Sequence, residues 1–495
     1  MVAIVDRLFG RFEVHLGALL AASAIGVYVL VVVGATTSLL DAASACSTWP
    51  TCNGSLLPGS DPMAVLNWAH RVLGLLVGLL LIGTLGTAWA SAGKRVRYVV
   101  TVAALLYPVQ TILGARIALG GVTQPLAAVH LVVAIGIFTG ILVGLLWYLE
   151  RATVGPKTES AVSTVDVDPS GVPEASQYKT PEPGQSSTPE AGQSQTPEAT
   201  RSGTEYSRVD LLGAYVELTK PRLWWLLSLV AVAAMALAAG PALSFWNVAA
   251  TISGGVLAIG ASGTFNNVLE IDRDRRMDRT ADRPLVDGTI PPSRAVAFGL
   301  ALSVSSVFVF VLFVNVLAAA LGLLAILFYS VVYTLLLKPH TDRNIVIGGA
   351  VGGFPALIGW AAVTNSIELP AVVLGTIVFL WTPAHFYNLA LAYKEDYARA
   401  DFPMLPISRN EAVTRRHIFL YLLATMAAAV ALGTIRPLGW TYAVASIAVG
   451  ALFLWAVIRL FRERTETAAF KTFHAANAYL GVLLLAIVVD AVILT

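Results

Sequence analysis

Thirteen apolar runs, each of about 20 residues, fix what this chain can become. A helix needs about 20 predominantly apolar residues to cross the hydrocarbon core of a bilayer. Inside that core every backbone amide must find its partner within the segment, so only helices or closed barrels can span it. The runs fall near residues 14–36, 66–91, 98–119 and 125–149, then 222–240, 247–270, 294–315, 317–337, 344–364, 369–393, 416–434, 438–460 and 473–494. Only 13% of the residues are charged, where a soluble domain carries about 25%. The expected class is an all-α polytopic membrane protein, a four-helix bundle followed by nine further helices.

Residues 151–208 interrupt the pattern. They are rich in Pro, Glu, Ser, Thr and Gln, with Thr-Pro-Glu recurring at Thr180, Thr188 and Thr196. Such a stretch buries too little apolar surface to offset its ordering entropy. The sequence therefore predicts a membrane unit over 1–150, a disordered linker over 151–208 and a second unit over 209–495.

Lys and Arg collect on cytoplasmic loops. The loop at 37–66 and the segment 120–125 contain neither, whereas Arg7, Arg11, Lys94, Arg95, Arg97 and Arg151 lie on the alternate side. The loops at 270–294, 338–343, 393–416 and 459–471 are all basic. This count places the N-terminus and linker in the cytoplasm and the C-terminus outside, in the cell membrane. The first 13 residues read as a retained cytoplasmic flank, since the run behind them is too long for a signal-peptide core. The net charge of +2 argues neither way on nucleic acid, and no such partner is expected of a chain immersed in lipid. Cys46 and Cys52 share one outer loop, where a disulfide can persist.

Asn266, Glu270, Asp274 and Asp278 recur at every fourth position. On a helix they form one stripe, drifting about 40° per step. A solvated helix end with i,i+4 ion pairs accounts for that stripe by itself. A second cluster, Lys394, Glu395 and Asp396, closes another apolar helix on the same side. Two carboxylate clusters beside Arg279, Arg283, Lys338 and Lys394 suit a magnesium-bound diphosphate, because Mg²⁺ takes hard oxygen ligands and bridges phosphate oxygens. Cations then neutralise the leaving group. Positive-inside topology is the competing account of each cation.

The second unit resembles the UbiA superfamily of intramembrane prenyltransferases. The family pattern Asn-Asp-x-x-Asp-x-x-x-Asp stands here as Asn266, Asn267, Glu270 and Asp274, with Glu in the middle place. Leu-Thr-Lys-Pro-Arg at 218–222, Tyr-Thr-Leu-Leu-Leu-Lys-Pro at 333–339, the glycine-rich stretch 344–360, Trp-Thr-Pro-Ala-His-Phe at 381–386 and Asp-Phe-Pro-Met-Leu-Pro at 401–406 resemble its heme-farnesylating branch. The resemblance implies farnesyl diphosphate and heme B as substrates, heme O as product and Mg²⁺ as cofactor. It implies Asn266, Glu270, Asp274 and Asp396 as metal ligands, with Asp278 and Glu395 beside them. Tyr333 is expected at the site wall, and His385 faces heme, helps proton transfer or packs. A quinone or lipid acceptor, and a non-catalytic heme carrier, are the competing functions.

His70 and His130 fall at like depth on the second and fourth helices. Two intramembrane histidines in one bundle suit bis-imidazole ligation of heme b, although helix–helix hydrogen bonding accounts for either one alone. Residues 46–58, 67–74 and 119–131 resemble one half of the heme A synthase family. Its glutamate three residues before the first histidine is here Asn67, so the resemblance implies heme binding or handover rather than oxidation. Arg116 is a candidate partner for a heme propionate or a packing residue. A heme A synthase and a terminal-oxidase assembly are candidate protein partners.

Overall fold

The computed structural model describes residues 2–121, 123–153, 207–436 and 438–494. Almost all of the expected linker, and residues 1–15 as far as their side chains go, lie outside that description. Among the described residues, thirteen helices are long and apolar enough to cross a membrane: α1 (Leu16–Leu39), α2 (Pro62–Ser91), α3 (Lys94–Gly120), α4 (Pro125–Arg151), α5 (Pro221–Ala242), α6 (Phe245–Leu269), α7 (Pro292–Phe313), α8 (Val316–Leu337), α9 (Asn344–Thr364), α10 (Leu369–Ala392), α11 (Glu411–Ile435), α12 (Trp440–Glu463) and α13 (Glu466–Ile493). All thirteen expected runs are present, and hydropathy alone was enough to find them.

Local chemistry starts several of these helices. Asp61 accepts from the backbone amides of Met63 and Ala64, and Pro62 follows it at the first helical position. Asn410 and Thr465 cap α11 and α13 in the same way. Each cap satisfies amides that have no partner within their own helix.

Small residues then bring helices together. A Cβ at Gly353 would stand 3.1 Å from the Gly375 carbonyl oxygen, so α9 and α10 touch backbone to backbone. Such close approach is the usual means of helix association in lipid, where apolar burial alone gives no advantage.

Helices α1 to α4 pack mainly on one another, and α10 to α13 form the densest part of the remainder. The two groups also meet. Helices α1 and α4 lie against α11 and α12, the Tyr28 hydroxyl is 2.6 Å from that of Ser446, and Arg416 donates to both Glu150 carboxylate oxygens at 2.6 and 2.9 Å. One apolar core runs through both groups. The sequence reads as two units joined by a linker; these contacts also join the two helix groups directly.

Candidate active site

The ends of α6, α8 and α10 converge on one side of the bundle, and this is where the charged residues gather. Helix α6 stops at Leu269, and the chain bends at Glu270 (φ −108°, ψ 6°) into a four-residue helix, Ile271–Asp274. The expected stripe therefore ends early. Asn266, Glu270 and Asp274 are buried, whereas Asp278 lies on the exposed loop beyond them.

Each buried acid has a cation. Lys338 donates to both Glu270 oxygens at 2.6 and 2.7 Å, and Arg283 pairs with Asp274. The Lys220 ammonium donates to the Asn266 carbonyl oxygen, and the Asn266 amide donates to the Thr334 hydroxyl at 3.0 Å. Helix α8 supplies Thr334 and Lys338 through a π-helical segment, Phe328–Leu337. A π turn takes an extra residue, which rotates Tyr329, Thr334 and Lys338 toward the same side; such segments recur at functional sites.

The second acidic segment meets the first through charge. Arg399 pairs with Asp396 and reaches Asp278 at 2.6 Å. The Arg279 amide donates to Asp396 at 3.4 Å, and Arg276 pairs with Asp401 at 2.6 Å. The Arg279 guanidinium lies 4.9 Å from the centre of the Tyr393 ring. Adjacent helical residues point about 100° apart, and only Asp396 of its trio is buried at this junction. Glu395 is exposed, and Lys394 turns to Glu411 at 3.0 Å; the structure does not bring these two to the cluster.

Cations outnumber acids in the innermost group. Lys220, Lys338 and Arg283 all act on Glu270, and Lys220 also feels Asp274, giving three positive charges against two negative. Burial pushes the Lys220 ammonium down to about 7, Arg283 adds repulsion and Glu270 opposes both. For Glu270 burial works upward, yet Lys338, Lys220 and Arg283 hold its carboxyl below the ordinary value. A buried group with surplus positive charge is suited to an anion.

Among the described residues, no three His, Cys, Asp or Glu side chains gather closely enough to cage a metal ion. That is compatible with Mg²⁺, which is usually held by one or two carboxylates together with substrate phosphates and waters. The buried oxygens of Asn266, Glu270, Asp274 and Asp396 offer that donor set.

Several participants escaped the sequence reading. Lys220 stands in a quoted motif, but its left-handed backbone (φ 54°), which aims it across at α6, is not encoded locally. Arg399 pairs with Asp278 across 121 positions. Phe402 is buried, with the Lys338 ammonium 4.5 Å from its ring centre. His385 is stacked between Trp381 and Phe473, at 4.3 and 4.2 Å between ring centres, with its Nδ1 buried and without a hydrogen-bond partner. Tyr333 sits 5.5 Å from Tyr329 on the wall.

A second polar group lies in the first bundle, toward the opposite ends of the helices. His70 and His130 are close enough to interact electrostatically. His130 Nε2 is 3.1 Å from the Gln110 amide nitrogen, while Nδ1 of each histidine is buried without a hydrogen-bond partner. Unpaired buried nitrogens are costly, so the pair fits an apolar group carrying a metal that would take them. Beside them Cys46 and Cys52 are joined as a disulfide. Arg71, another residue missed from sequence, donates to the carbonyls of Thr48 and Thr51 at 2.7 and 2.5 Å. Asn67 holds that clamp by accepting from Arg71 at 3.0 Å and donating to Ala42 at 2.9 Å, which gives it a structural role where the resembled family has an acid. Arg116 is exposed near the end of α3, not within the bundle.

Comparison with known proteins fits this division. The profile of the UbiA prenyltransferase family matches residues 226–482, and that of a cytochrome oxidase assembly protein matches residues 17–165. A protein of Haloarcula marismortui named protoheme IX farnesyltransferase is 51% identical over 96% of this chain and 98% of its own length. One of the same description from Natronomonas pharaonis is 50% identical over the same shares. A third, from Saccharopolyspora erythraea, is 45% identical over 58% of this chain but 92% of itself. The chain belongs to the UbiA prenyltransferase family and is a multi-pass membrane enzyme that transfers a prenyl group.

Proposed function

We propose that this chain farnesylates heme B to give heme O, using the buried charge cluster at the ends of α6, α8 and α10. The observation that carries the reading is the surplus of cations around Glu270 and Asp274, beside a bundle apolar enough to hold a long hydrocarbon tail. The names of the relatives supply the acceptor: each is called a protoheme IX farnesyltransferase. On this reading the cluster lies on the cytoplasmic side of the cell membrane, as the Lys/Arg count requires.

The residues divide the work. Lys220, Lys338 and Arg283 receive the diphosphate, with Arg279 at the rim. Asn266, Glu270, Asp274 and Asp396 are the residues that would hold Mg²⁺, which supplies charge neutralisation at the phosphate oxygens. The bond from farnesyl C1 to oxygen breaks, and its electrons leave with the diphosphate. Farnesyl C1 then bonds to the terminal carbon of a heme vinyl group. Water adds to the inner carbon and releases a proton, leaving a hydroxyethylfarnesyl substituent. Cations placed where negative charge develops favour the first step most, since they act there in a poorly hydrated setting. Tyr329 and Tyr333 close one side of the cluster.

For α1 to α4 the reading is heme b binding through His70 and His130, carried by their two unpaired Nδ1 atoms. The test of the main proposal uses the purified chain with farnesyl diphosphate and heme B. Heme O should form with Mg²⁺, cease on chelation and fall at least a hundred-fold, on the order expected for lost electrostatic stabilisation, in the Asp274→Ala, Asp396→Ala double variant. Undiminished product from that variant refutes the assignment.

A further inference from the structure

We infer that the groove between α12 and α13, on the same side of the bundle as the charge cluster, binds the phosphate headgroup of an anionic phospholipid. Arg459, Lys471 and His474 stand around this groove of about 280 Å³, with Trp455 beside them. Arg459 lies one turn before the end of α12, and Lys471 lies five residues into α13. At 1.5 Å per residue both groups are about 6 to 8 Å below the helix ends, the depth from which long basic side chains reach the headgroup layer.

The groove exists because the facing positions are small. Ala456 of α12 and Ala468, Ala475 and Ala478 of α13 line it, and larger side chains there would fill the space. Its charge is unbalanced: Arg459 pairs with Glu463 and stacks 5.5 Å from the Trp455 ring centre, while neither Lys471 nor His474 has an ion-pair partner among the described residues. Below the cations, Leu452, Val482 and Leu485 are exposed and continue the groove as an apolar track. A negative head above and alkyl chains below match that order of surfaces. Phe470 and Phe473, on another face of α13, pack on Tyr393 and His385, so the groove is separate from the catalytic cluster and does not depend on its assignment.

The test is native mass spectrometry of the full chain in detergent, titrated with phosphatidylglycerol or with phosphatidylcholine. Phosphatidylglycerol should bind in preference. Each basic residue near a membrane surface contributes about 1 kcal/mol toward anionic lipid, so Arg459→Gln with Lys471→Gln should weaken binding about thirty-fold. The Arg459→Lys, Lys471→Arg variant should bind like the parent, which controls for folding. Equal binding of the two lipids overturns the proposal, as does undiminished binding by the Gln variant. Displacement of phosphatidylglycerol by millimolar inorganic phosphate shows a free-anion site and overturns it too. So does a second copy of the chain occupying the groove.

Discussion

The two polar centres of this molecule solve the cost of burial in opposite ways. In the first bundle the groups around the histidine pair are left wanting: Nδ1 of His70, Nδ1 of His130 and the side-chain oxygen of Gln110 are each buried without a partner. At the far side of the second helix group the buried groups are charged, with Glu270 paired to Lys338, Asp274 paired to Arg283 and Lys220 in excess. The difference shows what each centre can accept. Orphaned imidazole nitrogens can take a metal carried by an apolar macrocycle without breaking any existing bond. Ion pairs can exchange partners, and on the proposed reading an incoming polyanion with a divalent cation would do so, the lysines and arginine turning to phosphate and the carboxylates to the metal.

Packing density varies within each helix group: α1 is 50% buried although it belongs to the first bundle, and α7 only 17% although it belongs to the second. Helices α2 and α3 have 22% and 17% of their apolar windows buried, against 56% for α10, α12 and α13. A substitution in the dense helices should therefore be felt as stability, and one in α2 or α3 mainly as ligand geometry.

The largest effect should come from Lys338→Met. It removes the hydrogen-bonded partner of the buried Glu270 carboxylate and leaves only the weaker influence of Lys220 and Arg283; breaking a buried pair costs up to about 3–5 kcal/mol. Thermal unfolding in detergent should show that loss together with loss of prenyl transfer. Adding Glu270→Gln should restore much of the stability and none of the activity. If both return, the pair is a packing device and the contrast with the histidine centre fails.

In the first bundle Gly34→Ala should act on the ligand alone. A Cβ there would lie 2.8 Å from His70 Cε1, so the imidazole must move. The optical spectrum of bound heme b should lose its low-spin form while heme O formation stays near the parent's rate. An unchanged spectrum would return His70 to a packing role.

A smaller effect sharpens the charged centre. Burial lowers Lys220 to about 7, so the cluster loses a positive charge as pH rises through that value. The KM for farnesyl diphosphate should rise a few-fold between about pH 6 and about pH 8, and Lys220→Arg, which stays protonated, should flatten the profile. The same slope in the arginine variant would assign the titration elsewhere.

How much of this was written in the sequence depends on range. Membrane spans need only a local average of hydropathy, and all thirteen were legible. That His70 would lie near His130, and Asn266, Glu270, Asp274 and Asp396 near one another, could also be anticipated, because polar groups are rare in lipid; Glu395 and Asp278 stay exposed. What remained hidden was geometry that no short window encodes. The break at Glu270 moved Asp278 out of the stripe. The π segment turned Lys338 inward, and Lys220, Arg399 and Phe402 reached the cluster from motifs whose local patterns give no sign of it. The contact of Tyr28 with Ser446 spans 418 positions, and nothing near either residue announces it.

What is at stake is the assignment of prenyl transfer to the charged centre and not to the histidine pair. It is tested most directly by mass spectrometry of hemes extracted from one heterologous host that makes either the Asp274→Ala, Asp396→Ala chain or the His70→Ala, His130→Ala chain. Heme O should vanish with the first and persist with the second. Heme O made by the acid-deficient chain, or lost only with the histidines, would contradict the account.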